Sequence, residues 1–134
     1  MKTLEDWKIK IAVLWLVFEC GSIYTSFLEL SEPGVIENLI AGEIGGMQIT
    51  PEVILGLAII FMVPPFMAFL SLALKDSINR WANIILGIVF AVLRLIEVSD
   101  FLAKLSPWAI LIWVSQVAAN ALIVWYAWKS KQKA

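Results

Sequence analysis

Four long apolar stretches, at about 9–28, 52–74, 81–103 and 107–128, constrain this chain more tightly than any other feature of it. A helix needs roughly 20 mostly apolar residues to cross the hydrocarbon core of a bilayer, and each stretch reaches that length. Lipid offers no partner to an unpaired backbone amide, so these segments must be helical. The short polar links 75–80 and 104–106 force the helices they join to run antiparallel. The expected fold is therefore all-α, an integral membrane four-helix bundle of antiparallel up-and-down topology. Residues 1–134 form a single transmembrane domain. Composition agrees. The chain is 61% hydrophobic and 16% charged, with a mean hydropathy of +0.88. Soluble domains are near half apolar, and a chain this short cannot bury such an excess.

The charges between the stretches sort by side. Lys2, Lys8 and Lys10 lie at the N-terminal end, Lys75 and Arg80 in the second connection, and Lys129, Lys131 and Lys133 at the C-terminal end. The first connection, about 29–51, has no lysine or arginine but carries Glu29, Glu32, Glu37 and Glu43. The bias of positive loops toward the cytoplasm predicts that both termini and the 75–80 link are cytoplasmic. Trp7, Trp81, Trp125, Tyr126 and Trp128 then form a cytoplasmic aromatic belt, with Trp108 at the outer surface.

In the first outer connection, apolar residues at 35, 36, 39 and 40 have the spacing of a short amphipathic helix. It is expected to lie in the interface or cap the bundle, with Gly45 and Gly46 ending it. Thr50, Pro51 and Glu52 read as a helix start: a capping hydroxyl, a first-turn proline and an acid near the positive dipole end. Pro64 and Pro65 remove two amide donors near the middle of the second span, which predicts a kink and freed carbonyls upstream.

Several function classes are excluded. Lys8 and Lys10 ahead of an apolar run imitate a signal peptide, but no Ala-x-Ala-like site follows. Phe18 and Glu19 stand where a lipoprotein signal before Cys20 would need small residues, so the segment is expected to stay as the first span. Cys20 is the one cysteine, which excludes an internal disulfide and paired-thiol chemistry. Histidine is absent, so the usual zinc, haem and copper sites lose their commonest ligand; no metal and no cofactor are expected. No basic patch exceeds a few lysines, which excludes nucleic acid as a partner.

Inside the spans, polar residues recur at helical spacing. Glu19, Ser22 and Ser26 share a face of the first span, with Trp15 below them. Asn83, Gly87, Ala91, Arg94 and Glu97 form a stripe on the third, and Gln116 and Asn120 share a face of the fourth. At about 1.5 Å of rise per residue, Glu19 lies about 15 Å and Arg94 about 20 Å from the cytoplasmic starts of their helices. Gln116 falls at a similar depth, so these groups can meet near the midplane. Facing lipid would cost several kcal/mol per charge, so they face inward. Glu19, Arg94, Glu97, Gln116, Asn120 and Ser22 are the candidate ligand-binding residues. Two acids here face one base, leaving a negative charge for a proton or a ligand to neutralise. The blander reading is an ion-pair network that sets helix register. Gly87 and Ala91 suit close helix packing, Met62 and Met67 gap-filling, and Trp15 and Trp113 packing rather than a cavity wall.

The segments 45–51 (Gly-Gly-Met-Gln-Ile-Thr-Pro), 79–83 (Asn-Arg-Trp-Ala-Asn) and 122–128 (Leu-Ile-Val-Trp-Tyr-Ala-Trp) resemble those of an uncharacterised family of small four-span prokaryotic membrane proteins. The resemblance covers most of the chain, with 79–83 its most specific part. It implies a fold and a prokaryotic cell-membrane location, but no activity. A fold-level similarity to small multidrug transporters rests on a glutamate inside the first span; the arginine in the third and the long outer connection depart from it.

Three functions fit these residues. The leading one is a carrier or binding protein for an amphiphilic or cationic small molecule, working as a homodimer if it transports. One alternative is a non-catalytic membrane subunit or scaffold. The other is an enzyme using carboxylate acid–base chemistry on a lipid-soluble substrate, although no nucleophile motif or phosphate-binding loop is present and no catalytic residue is assigned.

Overall fold

The computed structural model describes residues 5–104 and 106–130, excepting the side chains at 99–102 and 104. Lys2, Lys131, Lys133 and the side chain of Lys104 lie outside the described residues. The elements are α1 (Asp6–Glu29), α2 (Val35–Ile40), β1 (Glu43–Ile44), β2 (Met47–Gln48), α3 (Pro51–Ala73), α4 (Asp76–Lys104) and α5 (Pro107–Lys129). The four long helices are long and apolar enough to cross a membrane. Their bounds follow the apolar stretches closely except at α4. Most of the 75–80 link is helix, because Asn79 and Arg80 turn inward and find room inside the bundle.

Contacts at the two ends fix the topology. Lys8 pairs with Asp76 at 2.6 Å, Lys10 stands 5.3 Å from the Tyr126 ring, and Arg80 5.2 Å from that of Trp128. The start of α1, the α3–α4 link and the end of α5 therefore share one end of the bundle. At the opposite end Glu32 accepts from Trp108 Nε1 at 2.9 Å and from Ser106 Oγ at 3.3 Å. α1 is the central helix, packed along both α3 and α5, and α4 packs along α5. α3 and α4 are joined by a link of only two residues but touch only sparingly. They form a V that is closed at the link and open beyond it.

The core is small, and α1 contributes more of it than any other helix. Ile11, Trp15 and Phe18 are buried against Met67, Ala68, Ile84, Phe90 and Ile123. Trp15, Phe18 and Phe90 meet edge to face, with ring centroids 5.4–6.1 Å apart, a favoured aromatic geometry. The outward surface is apolar as well: Leu16, Ile23, Ile59, Phe66, Phe69, Ile88, Ile96, Leu111 and Val114 are all exposed. In water such a surface would drive aggregation, whereas hydrocarbon covers it without penalty. The molecule is a membrane protein.

The first connection differs from expectation at its glycines. α2 forms where the spacing predicts it, with none of its residues buried and Ile36 and Ile40 exposed. Gly45 and Gly46 do not end it. They turn a two-residue hairpin between β1 and β2, with φ of +54° and +81°. Only such positive-φ turns match the twist of paired strands, and glycine adopts them without strain. α3 begins as expected, with Thr50 Oγ1 accepting from the Val53 amide and Pro51 in the first turn. It runs unbroken through Pro64 and Pro65.

Gly87 sets the α4–α5 approach: a Cβ there would stand 2.7 Å from Val124 Cγ2. Overpacking of this kind costs about 1–3 kcal/mol. Unfolding of Gly87→Ala in bicelles should register that loss, and Val124→Ala added to it should recover most of it.

Candidate functional site

Where the V opens, α1, α3 and α4 enclose a cavity of about 120 Å³. α1 contributes Phe18, Glu19 and Ser22; α4 contributes Phe90, Leu93, Arg94 and Glu97. The α3 wall is Leu57, Ile60, Phe61 and Pro64. Residues 64 and 65 have no N–H, so the Ile60 and Phe61 carbonyls lose their usual helical donors beside this space. That wall carries no charge or polar side chain. Only the proline pair, in the sequence, hinted at it.

The charges in the cavity are not equivalent. Arg94 Nη1 pairs with Glu97 Oε2 at 2.8 Å, one turn along the same helix. Its Cζ stands 5.4 Å from the Phe18 ring centroid, and Trp113 Nε1 donates to its backbone carbonyl at 2.6 Å. Arg94 is thus held from three sides. Glu19 is half-buried and belongs to neither ion pair found among the described residues. Its Oε2 is fully buried and meets no hydrogen-bond donor. Burying a carboxylate oxygen unpaired is costly, and Arg94, on the same cavity wall, spends its closest contact on Glu97.

The other candidate residues have different surroundings. Ser22 lines the cavity, but its hydroxyl already donates to the Phe18 carbonyl at 3.3 Å and accepts from Gln116 Nε2 at 2.9 Å. Gln116 sits behind that wall and also donates to the Phe18 carbonyl at 3.0 Å, clamping α5 to α1. Gly21 makes room for it, since a Cβ there would lie 3.0 Å from Gln116 Cγ. Asn120 is fully buried away from the cavity, and neither its side-chain oxygen nor its nitrogen has a hydrogen-bond partner among the described residues. The structure therefore brings together Glu19, Ser22, Arg94 and Glu97 and leaves Gln116 and Asn120 outside. The side chain of Asp100 lies outside the described residues.

A second polar cluster sits deeper in the V. Trp15 Nε1 donates to Asn83 Oδ1 at 2.7 Å, and Ser71 Oγ to the same oxygen at 3.2 Å. Asn83 Nδ2 donates to Asn79 Oδ1 at 2.7 Å, and Asn79 Nδ2 to the Ser71 carbonyl at 2.6 Å. All four residues are fully buried, and each is satisfied. The sequence marks Asn83 within a stripe and Trp15 beside another, but Ser71 carries no periodic signal. Among the described residues no group of three potential metal ligands occurs.

The whole chain, residues 1–134, matches a family of unknown function, DUF6326. It belongs to that family. No curated protein and no solved structure matches it, so the likeness to small multidrug transporters rests on the position of Glu19 alone. Within this DUF6326 chain the two polar clusters differ: one is saturated, and the other leaves Glu19 Oε2 and Arg94 Nε buried without a hydrogen-bond partner among the described residues.

Two charges of the cavity, Arg94 and Glu19, should respond oppositely to neutral substitution. Arg94→Gln should cost about 1–3 kcal/mol, because it breaks a partly buried ion pair. Glu19→Gln should be neutral or stabilising, since its buried oxygen loses no bond. Equal losses in reversible bicelle unfolding would mean that Glu19 is held by the protein after all.

Proposed function

We propose that this protein binds a small amphiphile with a cationic head in the Glu19/Arg94/Glu97 cavity and carries it within the membrane. The observation behind this reading is the buried, unpartnered Oε2 of Glu19 on the cavity wall. A cationic head would supply the missing charge-assisted hydrogen bond, and two acids against one guanidinium leave the site formally anionic. The cavity's volume of about 120 Å³ suits a head group rather than a whole lipid. A larger groove of about 480 Å³, lined by Ala58, Ile59, Met62, Val63, Phe66, Met67, Leu70 and Leu86, runs along the mouth of the V. It suits an alkyl tail, and lateral entry between α3 and α4 follows from their sparse contact.

Four helices make a narrow bundle, so transport calls for a homodimer. The lysine pattern supports an orientation with both termini in the cytoplasm, and the family resemblance implies a prokaryotic cell membrane. A fluorescent reporter that folds only in the cytoplasm, fused after Ala134, is expected to light up; a phosphatase that needs the outer compartment should stay silent there.

A scaffold is the second reading. It is favoured by the saturated Trp15–Asn83–Ser71–Asn79 cluster and by the Gln116 clamp, which use most of the polar stripe to hold helices together.

The deciding experiment uses purified protein in nanodiscs and dodecyltrimethylammonium below its micelle concentration. At ten times its Kd the ligand should stabilise the wild type by about 1.4 kcal/mol. Glu19→Gln should abolish the shift, and dodecanol should produce none. Equal shifts in wild type and Glu19→Gln, or no shift in either, would favour the scaffold.

A further inference from the structure

Arg80 lies one turn into α4, at the end of the bundle that holds Lys8, Asp76 and Lys129. It is 8% exposed, yet its guanidinium makes no hydrogen bond and no ion pair with any described residue. Nε is wholly buried and unpartnered. Asp76, one turn earlier on the same helix, is committed to Lys8 at 2.6 Å. Two indoles frame the cation instead, with Cζ 4.8 Å from the Trp81 ring centroid and 5.2 Å from that of Trp128. Ring faces stabilise a cation but accept little from its N–H fork, and a buried cation without a counter-charge is unstable.

The surroundings narrow what supplies the charge. Arg80 is about 6 Å along α4 from Asp76, a depth at which head groups meet a helix. Trp81 and Trp128 are half-exposed, and from Trp81 an exposed apolar track continues along α4 through Ile85 and Ile88. Whatever meets the guanidinium is thus anionic at one end and apolar below it. A planar guanidinium matches a phosphate's oxygens two at a time.

We propose that Arg80, between Trp81 and Trp128, is a binding site for the phosphate of an anionic phospholipid, whose acyl chain lies along Ile85 and Ile88. The site is separate from the Glu19 cavity and does not depend on the function proposed for it.

The test follows tryptophan emission of the full chain in non-ionic detergent, titrated with short-chain phosphatidylglycerol, phosphatidylcholine or inorganic phosphate. Phosphatidylglycerol should bind about tenfold more tightly than phosphatidylcholine, and R80Q should lose about that factor. R80K, which keeps the charge without the fork, should fall between them. K75Q, which removes an exposed lysine from the same end, should bind like the wild type. Equal affinity for the two lipids, unchanged affinity in R80Q, or an equal loss in K75Q would overturn the proposal. Displacement of the lipid by inorganic phosphate at matching concentrations would overturn the lipid as the source of the anion. A variant-free check uses phosphatidylglycerol brominated near its head group, which should quench the wild type more than its phosphatidylcholine counterpart. Equal quenching would reject the site.

Discussion

The hydrogen bond from the Trp15 indole to Asn83 joins the central helix to α4, with both side chains fully buried, so that water cannot replace either partner. Ser71 adds α3 to the same oxygen, and Asn79 returns to the Ser71 carbonyl. Three helices are thereby tied near the α3–α4 link by groups that have nowhere else to bond. Lipid is as apolar as the core, so helices in a bilayer gain little by hiding leucines from it. Packing and polar contacts have to hold them together. Where the ties end, α3 and α4 separate, and the cavity and the apolar groove occupy the gap.

The polar residues inside the bundle thus fall into distinct kinds. Trp15, Ser71, Asn79, Asn83, Ser22 and Gln116 spend their donors and acceptors on one another or on backbone carbonyls, and their role is to hold helices. Arg94 is partly of this kind, held by Glu97, Phe18 and Trp113. Glu19 and Arg80 are not. Among the described residues Glu19 Oε2 is buried without a donor and Arg80 Nε without an acceptor, as are Arg94 Nε and both polar side-chain atoms of Asn120 without partners. Glu19 and Arg80 lie in different parts of the bundle and carry opposite charges.

Much of this was legible beforehand. Helix count, approximate bounds and inward-facing charges follow from the length of the apolar runs and from the cost of exposing ions to lipid. The start of α3 was readable from Thr50 and Pro51 because capping is local chemistry. The hairpin at Gly45 and Gly46 was missed, since two glycines serve a helix end and a tight turn equally well. Gln116 and Asn120 share a helix face with the right depth, but depth and face leave open which neighbour stands opposite. Gln116 met α1 behind the cavity wall, and Asn120 met no hydrogen-bond partner among the described residues.

By itself the sequence determined four helices long and apolar enough to cross a membrane, because apolar runs of that length in lipid leave backbone amides no other partner. It also determined which side chains could not face the bilayer. Which helices touch was decided only in three dimensions. Adjacent, antiparallel α3 and α4 could have packed along their whole length, and the tertiary structure instead set α1 between α3 and α5. That choice depends on pairwise fits such as Gly87 against Val124 and Gly21 against Gln116. Such fits are properties of two surfaces at once, and a linear pattern carries only one of them.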